Sequence, residues 1–117
     1  MTNDFDGYDP LRYTQVPDAL FDEQLSRLSH AELKVVLWIM RCTFGWKKDR
    51  DAISLSQLEK ATGLSRRAVI AATQRLEEGK HIIIERGMAP TGGARSNVYR
   101  LRIREDRAES ASQREGG

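Results

Sequence analysis

Apolar positions repeat at helical spacing through the middle of the chain and change to alternation near residue 98. Leu33, Val36, Leu37, Met40 and Phe44 fall three or four residues apart, which predicts a helix whose apolar face backs the core. Ser29 followed by Glu32 is a capping box, so this helix opens after Ser29 and runs to about Thr43, with Gly45 as its stop. A shorter helical stretch begins at Pro17 and carries Leu20, Phe21 and Leu25. Past Gly45, Trp46 is expected to fold back on the core, and Lys47-Lys48-Asp49-Arg50-Asp51 to form an exposed turn. Ile53 then anchors a very short strand.

Residues 54–86 read helix, tight turn, helix, strand. Ser54 caps the first helix with Gln57 three residues on, and Ser65 caps the second. Gly63 between them supplies the left-handed turn that a Cβ would resist, so the second helix crosses the first steeply. The second helix ends at Gly79. Ile82-Ile83-Ile84 is short and β-branched, as a strand requires. From Gly87 to Asn97 the chain holds three glycines, a proline and Arg95, a glycine-rich loop. Val98-Tyr99-Arg100-Leu101-Arg102-Ile103 alternates apolar and polar as a half-buried strand does. The elements predict an α+β, mainly helical fold: a winged helix-turn-helix of about four helices and a small β-hairpin wing. Its expected limits are residues 14–104, between a flexible arm at 1–13 and a disordered tail at 105–117.

Charge sharpens the picture. The net charge is only +2. Residues 31–104, however, hold 15 Lys/Arg against 7 Asp/Glu, a balance of +8, whereas residues 1–30 balance at −4 and 105–117 at −2. A basic middle between acidic ends fits a DNA-binding body. Cys42, the single cysteine, leaves no internal disulfide and points to a reducing compartment; late in an apolar helix, it reads as a small buried hydrophobe. With no secretion signal and no apolar run beyond Val35–Met40, a soluble cytoplasmic protein without membrane contact is expected.

On a helical wheel for residues 65–78, Val69, Ala72, Thr73 and Leu76 fall together toward the core. Arg67, Ala71, Gln74 and Glu78 fall opposite, with Arg66, Ile70 and Arg75 on the flanks. Read as a recognition helix, Arg67 suits guanine and Gln74 suits adenine. Ala71 lets the backbone approach, and Ile70 is placed for a thymine methyl. Ser65, Arg66 and Arg75 are assigned to the helix start and to phosphates. Arg95 in the wing is a candidate for the minor groove or a phosphate. Arg100, with Arg102 and Arg104 on the same face of the last strand and Arg86 nearby, extends the phosphate contact; a wet sheet face carries such charges without any ligand. Catalysis is not expected. His30 and His81 form no metal-ligand spacing, no glycine-rich phosphate loop precedes a helix, and neither a metal nor another cofactor is implied.

The motifs resemble a known family. Tyr13-Thr14-Gln15-Val16-Pro17, Leu28-Ser29 with Glu32, Lys34-Val35-Val36-Leu37 and Arg41-Cys42-Thr43-Phe44-Gly45-Trp46 are similar to the N-terminal domain of phage replication protein O. So are Ile53-Ser54-Leu55-Ser56-Gln57-Leu58, Thr62-Gly63-Leu64-Ser65-Arg66 and Asn97-Val98-Tyr99-Arg100-Leu101. Thr43-Phe44-Gly45-Trp46 discriminates best, because helix pairs with wings recur in many repressors. The resemblance implies a winged helix that binds repeated origin sites, and a separate C-terminal region that engages the helicase-loading machinery. These 117 residues carry no second region of any size, so origin or operator binding is the expectation, and a helicase or helicase-loader partner stays open. Three functions follow: sequence-specific binding of double-stranded DNA in phage or prophage replication initiation, a small transcriptional regulator, or a winged-helix protein-interaction module. Direct repeats would suit monomers and a palindrome a homodimer.

Overall fold

The computed structural model of the chain describes residues 4–89 and 96–104. Three helices pack on one face of a small antiparallel sheet. They are α1 (His30–Thr43), α2 (Leu55–Thr62) and α3 (Arg66–Glu78); the strands are β1 (Asp51–Ile53), β2 (Ile82–Ala89) and β3 (Ser96–Leu101). The sheet order is β1-β3-β2, so the hairpin partners β2 and β3 are joined by β1 as a third strand. This is an α+β, winged-helix-like arrangement.

Local hydrogen bonds set the helix starts. The Glu32 N–H donates to Ser29 Oγ (3.1 Å) and the Ser29 N–H to Glu32 Oε1 (2.7 Å). The same reciprocal box opens α2, with the Gln57 N–H on Ser54 Oγ (3.1 Å) and the Ser54 N–H on Gln57 Oε1 (2.8 Å). Ser65 Oγ accepts from the Ala68 N–H (3.2 Å) at the start of α3. Each bond satisfies a donor that a helix end would otherwise leave free. The chain turns at Gly63, with φ +75°, as the sequence requires.

The core differs from the sequence reading in detail. α1 buries Val35, Val36, Ile39, Met40 and Thr43, while Leu37 is 37% exposed. Val35 to Met40 is a run of six apolar residues, so more than one stripe satisfies the helical period. Burial of Thr43 is tolerated because its hydroxyl donates to the Ile39 carbonyl (2.8 Å). The stretch after Pro17 forms a single π turn at Leu20–Gln24, burying Leu20 and leaving Phe21 and Leu25 exposed.

α1 ends at Thr43 as expected, but Gly45 is not where the chain reverses. A 3₁₀ turn, Phe44–Trp46, passes through it, and the reversal falls at Lys47, whose φ is +57°. A Cβ at 45 would lie 2.9 Å from both Arg41 Nη1 and Thr14 Oγ1, so a larger residue there would make those two side chains give way. Trp46, expected on the core, is 65% exposed, and Arg41 lies over its ring at 5.3 Å. Phe44 packs against the core instead. At the end of α3 the left-handed residue is Lys80 (φ +66°), one past Gly79.

In the sheet, Asp51 pairs with Tyr99 and Ile53 with Asn97, while Ile82 pairs with Leu101 and Ile84 with Tyr99. Ile53, Ile82, Ile84, Tyr99 and Leu101 meet the helices and are buried. The strands reach further into the glycine-rich stretch than read from sequence, pairing out to Ala89 and Ser96 with a register irregularity after Glu85. Gly87 (φ +66°) takes up that irregularity, and its N–H donates to Asn97 Oδ1 (3.2 Å). At the other end β3 stops at Leu101, because β2 begins at Ile82 opposite it; Ile103 is exposed. The loop of the wing, with Arg95, and the tail at 105–117 lie outside the described residues.

Leu58→Ala, at a position with no exposed surface, is expected to lower the unfolding free energy by about 2–5 kcal/mol. Gly63→Ala meets nothing within 4 Å and should cost only the left-handed conformation, about 1–2 kcal/mol. Denaturant midpoints measure both; equal losses would contradict this division.

Candidate nucleic-acid interface

α3 is held by one side and open on the other. Val69, Ala72, Thr73 and Leu76 are buried against the body of the domain, and the Thr73 hydroxyl donates to the Ile70 carbonyl (2.9 Å). The opposite side presents Arg67 and Gln74 to solvent, with Ala71 half-buried between them. Seven residues separate them, about 10 Å along the helix axis, which places both on one face two turns apart. Neither side chain makes a hydrogen bond or ion pair among the described residues. Ile70 is 38% exposed on one flank and Arg75 is exposed on the other. Arg75 makes no direct ion pair among the described residues; the Glu32 carboxyl pKa, lowered chiefly by the Ser29 N–H, is lowered further by the Arg75 charge. Ser65 sits at the N-terminus of this helix, where N–H groups and the helix dipole favour an anion.

Arg66 stands apart. Its Nε donates to Glu59 Oε2 (2.8 Å) and its Nη2 to Ser56 Oγ (3.1 Å), so it braces α3 against α2. A phosphate at this position would compete with Glu59. Nothing in the one-dimensional spacing marks Glu59 as that partner, because the turn at Gly63 creates the approach.

The strand arginines do not gather beside α3. β3 alternates, and Arg100 lies on the sheet face turned away from the helices, where Glu85 Oε2 sits 3.7 Å from its Nε and 3.0 Å from Arg50 Nη1. Arg102 and Arg104 follow the end of the strand, and Arg104 approaches Glu23 at 3.9 Å. Arg86 is not near them: it grips Glu77 of α3 through two bonds, 2.9 and 2.7 Å. Sequence reasoning missed this bridge, since nine residues and a change of element lie between the partners. It ties β2 to the last turn of α3 and so steadies the exposed helix from its C-terminal end.

Cys42, expected to be buried, is half-buried and lines a hollow of about 410 Å³ between α1, α2 and β1, beside Trp38 and Ala61. Burial pushes its thiol pKa up, which weakens it as a nucleophile. Among the described residues no three His, Cys, Asp or Glu side chains are placed to hold a metal ion, and no helix is long and apolar enough to cross a membrane.

Two carboxylates sit below their ordinary range: Glu32, chiefly through the Ser29 N–H, and Glu77, chiefly through the Arg86 guanidinium. A carboxylate whose pKa is depressed on folding stabilises the fold above its unfolded value and ceases to as pH falls through its folded value. Unfolding free energy is therefore expected to hold from pH 7 to about 5 and to fall below about 4.3. Glu77→Gln should flatten that fall; an unchanged slope in acid titrations followed by circular dichroism would contradict the assignment.

No curated protein matches the chain. The family described as bacteriophage replication protein O matches it over residues 3–98, a span that includes all three helices and the sheet up to the middle of β3. The chain belongs to the bacteriophage replication protein O family.

Proposed function

We propose that the chain binds double-stranded DNA in a sequence-specific way at a phage or prophage replication origin. Membership of the replication protein O family places it in bacteriophage DNA replication. The observation that carries the finer reading is the open face of α3, where Arg67 and Gln74 stand without partners among the described residues on a helix fixed at both ends. Such a helix fits a major groove about 12 Å wide. Arg67 reads guanine, Gln74 reads adenine, and Ile70 touches a thymine methyl. Arg75 and the N-terminal turn at Ser65 meet phosphates and set the register. Arg66 holds the helix angle first and contacts phosphate only by exchanging Glu59.

The role is one of binding and positioning, without catalysis. Replication proteins, a helicase or its loader among them, are the partners such a role requires, and two copies pair where the site is palindromic. A transcriptional regulator would use the same helix face; the family favours replication.

With about five phosphate contacts, affinity should fall with salt at a log-log slope near −4 to −5. Arg67→Ala should cost roughly 1–3 kcal/mol on the cognate duplex and relax preference at one base pair, whereas Arg75→Ala should weaken all duplexes alike. Fluorescence anisotropy on a random duplex and on DNA from around the chain's own gene separates the two. Equal loss on both duplexes for Arg67→Ala would remove its base-reading role.

A further inference from the structure

The segment that discriminates the family best in sequence, Thr43-Phe44-Gly45-Trp46, follows α1 and is not among the residues of α3's open face. It leads into β1 at Asp51, opposite Tyr99, whereas the hairpin tip lies beyond Asn97, opposite Ile53. The Trp46 loop is therefore at the end of the sheet remote from the wing.

The loop pairs an ordinary helix ending with an exposed aromatic ring. Trp46 is 65% exposed, and Arg41, one turn back in α1, lies over its ring at 5.3 Å. Lys47 next to it occupies the left-handed region at φ +57°, held by its own N–H on the Phe44 carbonyl (3.0 Å) and the Lys48 N–H on the Thr43 carbonyl (2.8 Å). These two bonds are those of a Schellman helix end, which sets a left-handed residue at this position. Neither Arg41 nor Lys47 has an ion-pair partner among the described residues. Lys48 pairs with Asp51 (3.2 Å), and Arg50 with Glu85 (3.0 Å) and Asp49 (3.5 Å); both cations are still about half exposed. Residues 41–51 carry four cations against two carboxylates.

An exposed indole with Arg41 over its ring and Lys47, Lys48 and Arg50 within the next four residues matches the chemistry of unpaired nucleotides. Base faces are hidden inside a duplex and become available only when the strands part; an aromatic platform then stacks a base while lysine and arginine track the backbone. An acidic protein would satisfy the cations and leave the indole face unused. We propose that Trp46, Arg41 and Lys47, flanked by Lys48 and Arg50, form a second binding site, for single-stranded DNA. One unpaired base stacks on the indole and the neighbouring phosphates lie against the cations. The chain then has separate surfaces for closed and opened DNA, and the second needs nothing from α3.

The test uses the full chain with a short fluorescein-labelled oligo-dT strand and, in parallel, a duplex from around its own gene. Oligo-dT should quench tryptophan emission in the parent protein but not in Trp46→Phe, where Trp38 alone emits. Trp46→Ala should weaken oligo-dT binding about 5- to 150-fold, the loss of one stacked base, with Trp46→Phe recovering most of it and duplex affinity unchanged. Lys47→Gly, which suits the left-handed turn, should keep the fold and weaken oligo-dT binding as well. Arg67→Ala should do the reverse, losing duplex preference and keeping the strand, so failure of either reading is seen without the other. Oligo-dT affinity unmoved by Trp46→Ala and Lys47→Gly, or a polyglutamate peptide displacing oligo-dT at lower concentration than unlabelled oligo-dT does, would overturn the proposal.

Discussion

A two-residue turn at Gly63 and Leu64 decides where α3 can go. Thr62 ends α2 with its hydroxyl on the Leu58 carbonyl (2.6 Å), and the same oxygen accepts the Leu64 N–H (3.2 Å). Gly63 turns left-handed and Ser65 caps the next helix at once. With no slack in the connection, α3 must lay Val69, Ala72 and Leu76 on the core and show Arg67 and Gln74 to solvent. Arg66 on Glu59 holds the first turn of α3 to α2, and Arg86 on Glu77 holds the last turn to β2. Such exposed pairs add little to stability one at a time. Their value here is geometric, since they fix the angle of a helix whose outer face is free.

What was legible in the sequence follows from the range of the forces involved. The capping boxes at Ser29 and Ser54, the cap at Ser65 and the turn at Gly63 join residues within four positions, and their chemistry is written locally. The buried face of α3 was legible because polar residues surround it. α1 was not, because six apolar residues in a row leave its buried face to packing, which turned Leu37 outward. Trp46 misled for a related reason: apolarity argues for burial, but the space beneath the 3₁₀ turn belongs to Phe44, and the left-handed Lys47 carries the chain away. Of the arginines, composition showed their number and the fold their employment. Arg66, Arg86 and Arg50 are paired with glutamates 7, 9 and 35 residues away, separations that no local pattern reports.

The surface therefore divides into arginines that hold the fold and cations left open. Arg67 on α3 and Lys47 at the far end of the sheet belong to the open group, and Arg41 carries its charge onto an indole. On the proposed reading, the open cations of α3 and of the Trp46 loop would meet DNA in two states, the helix as a rigid rod for a groove and the loop as a flat ring among charges.

Amide chemical shifts of the full chain, followed as a duplex from around its own gene is titrated in, should locate the surface that meets duplex DNA. Changes are expected between Ser65 and Arg75, strongest near Arg67 and Gln74, with residues 46–50 little affected. Shifts centred on α1 or on the outer sheet face around Arg100, with α3 silent at saturation, would contradict that placement.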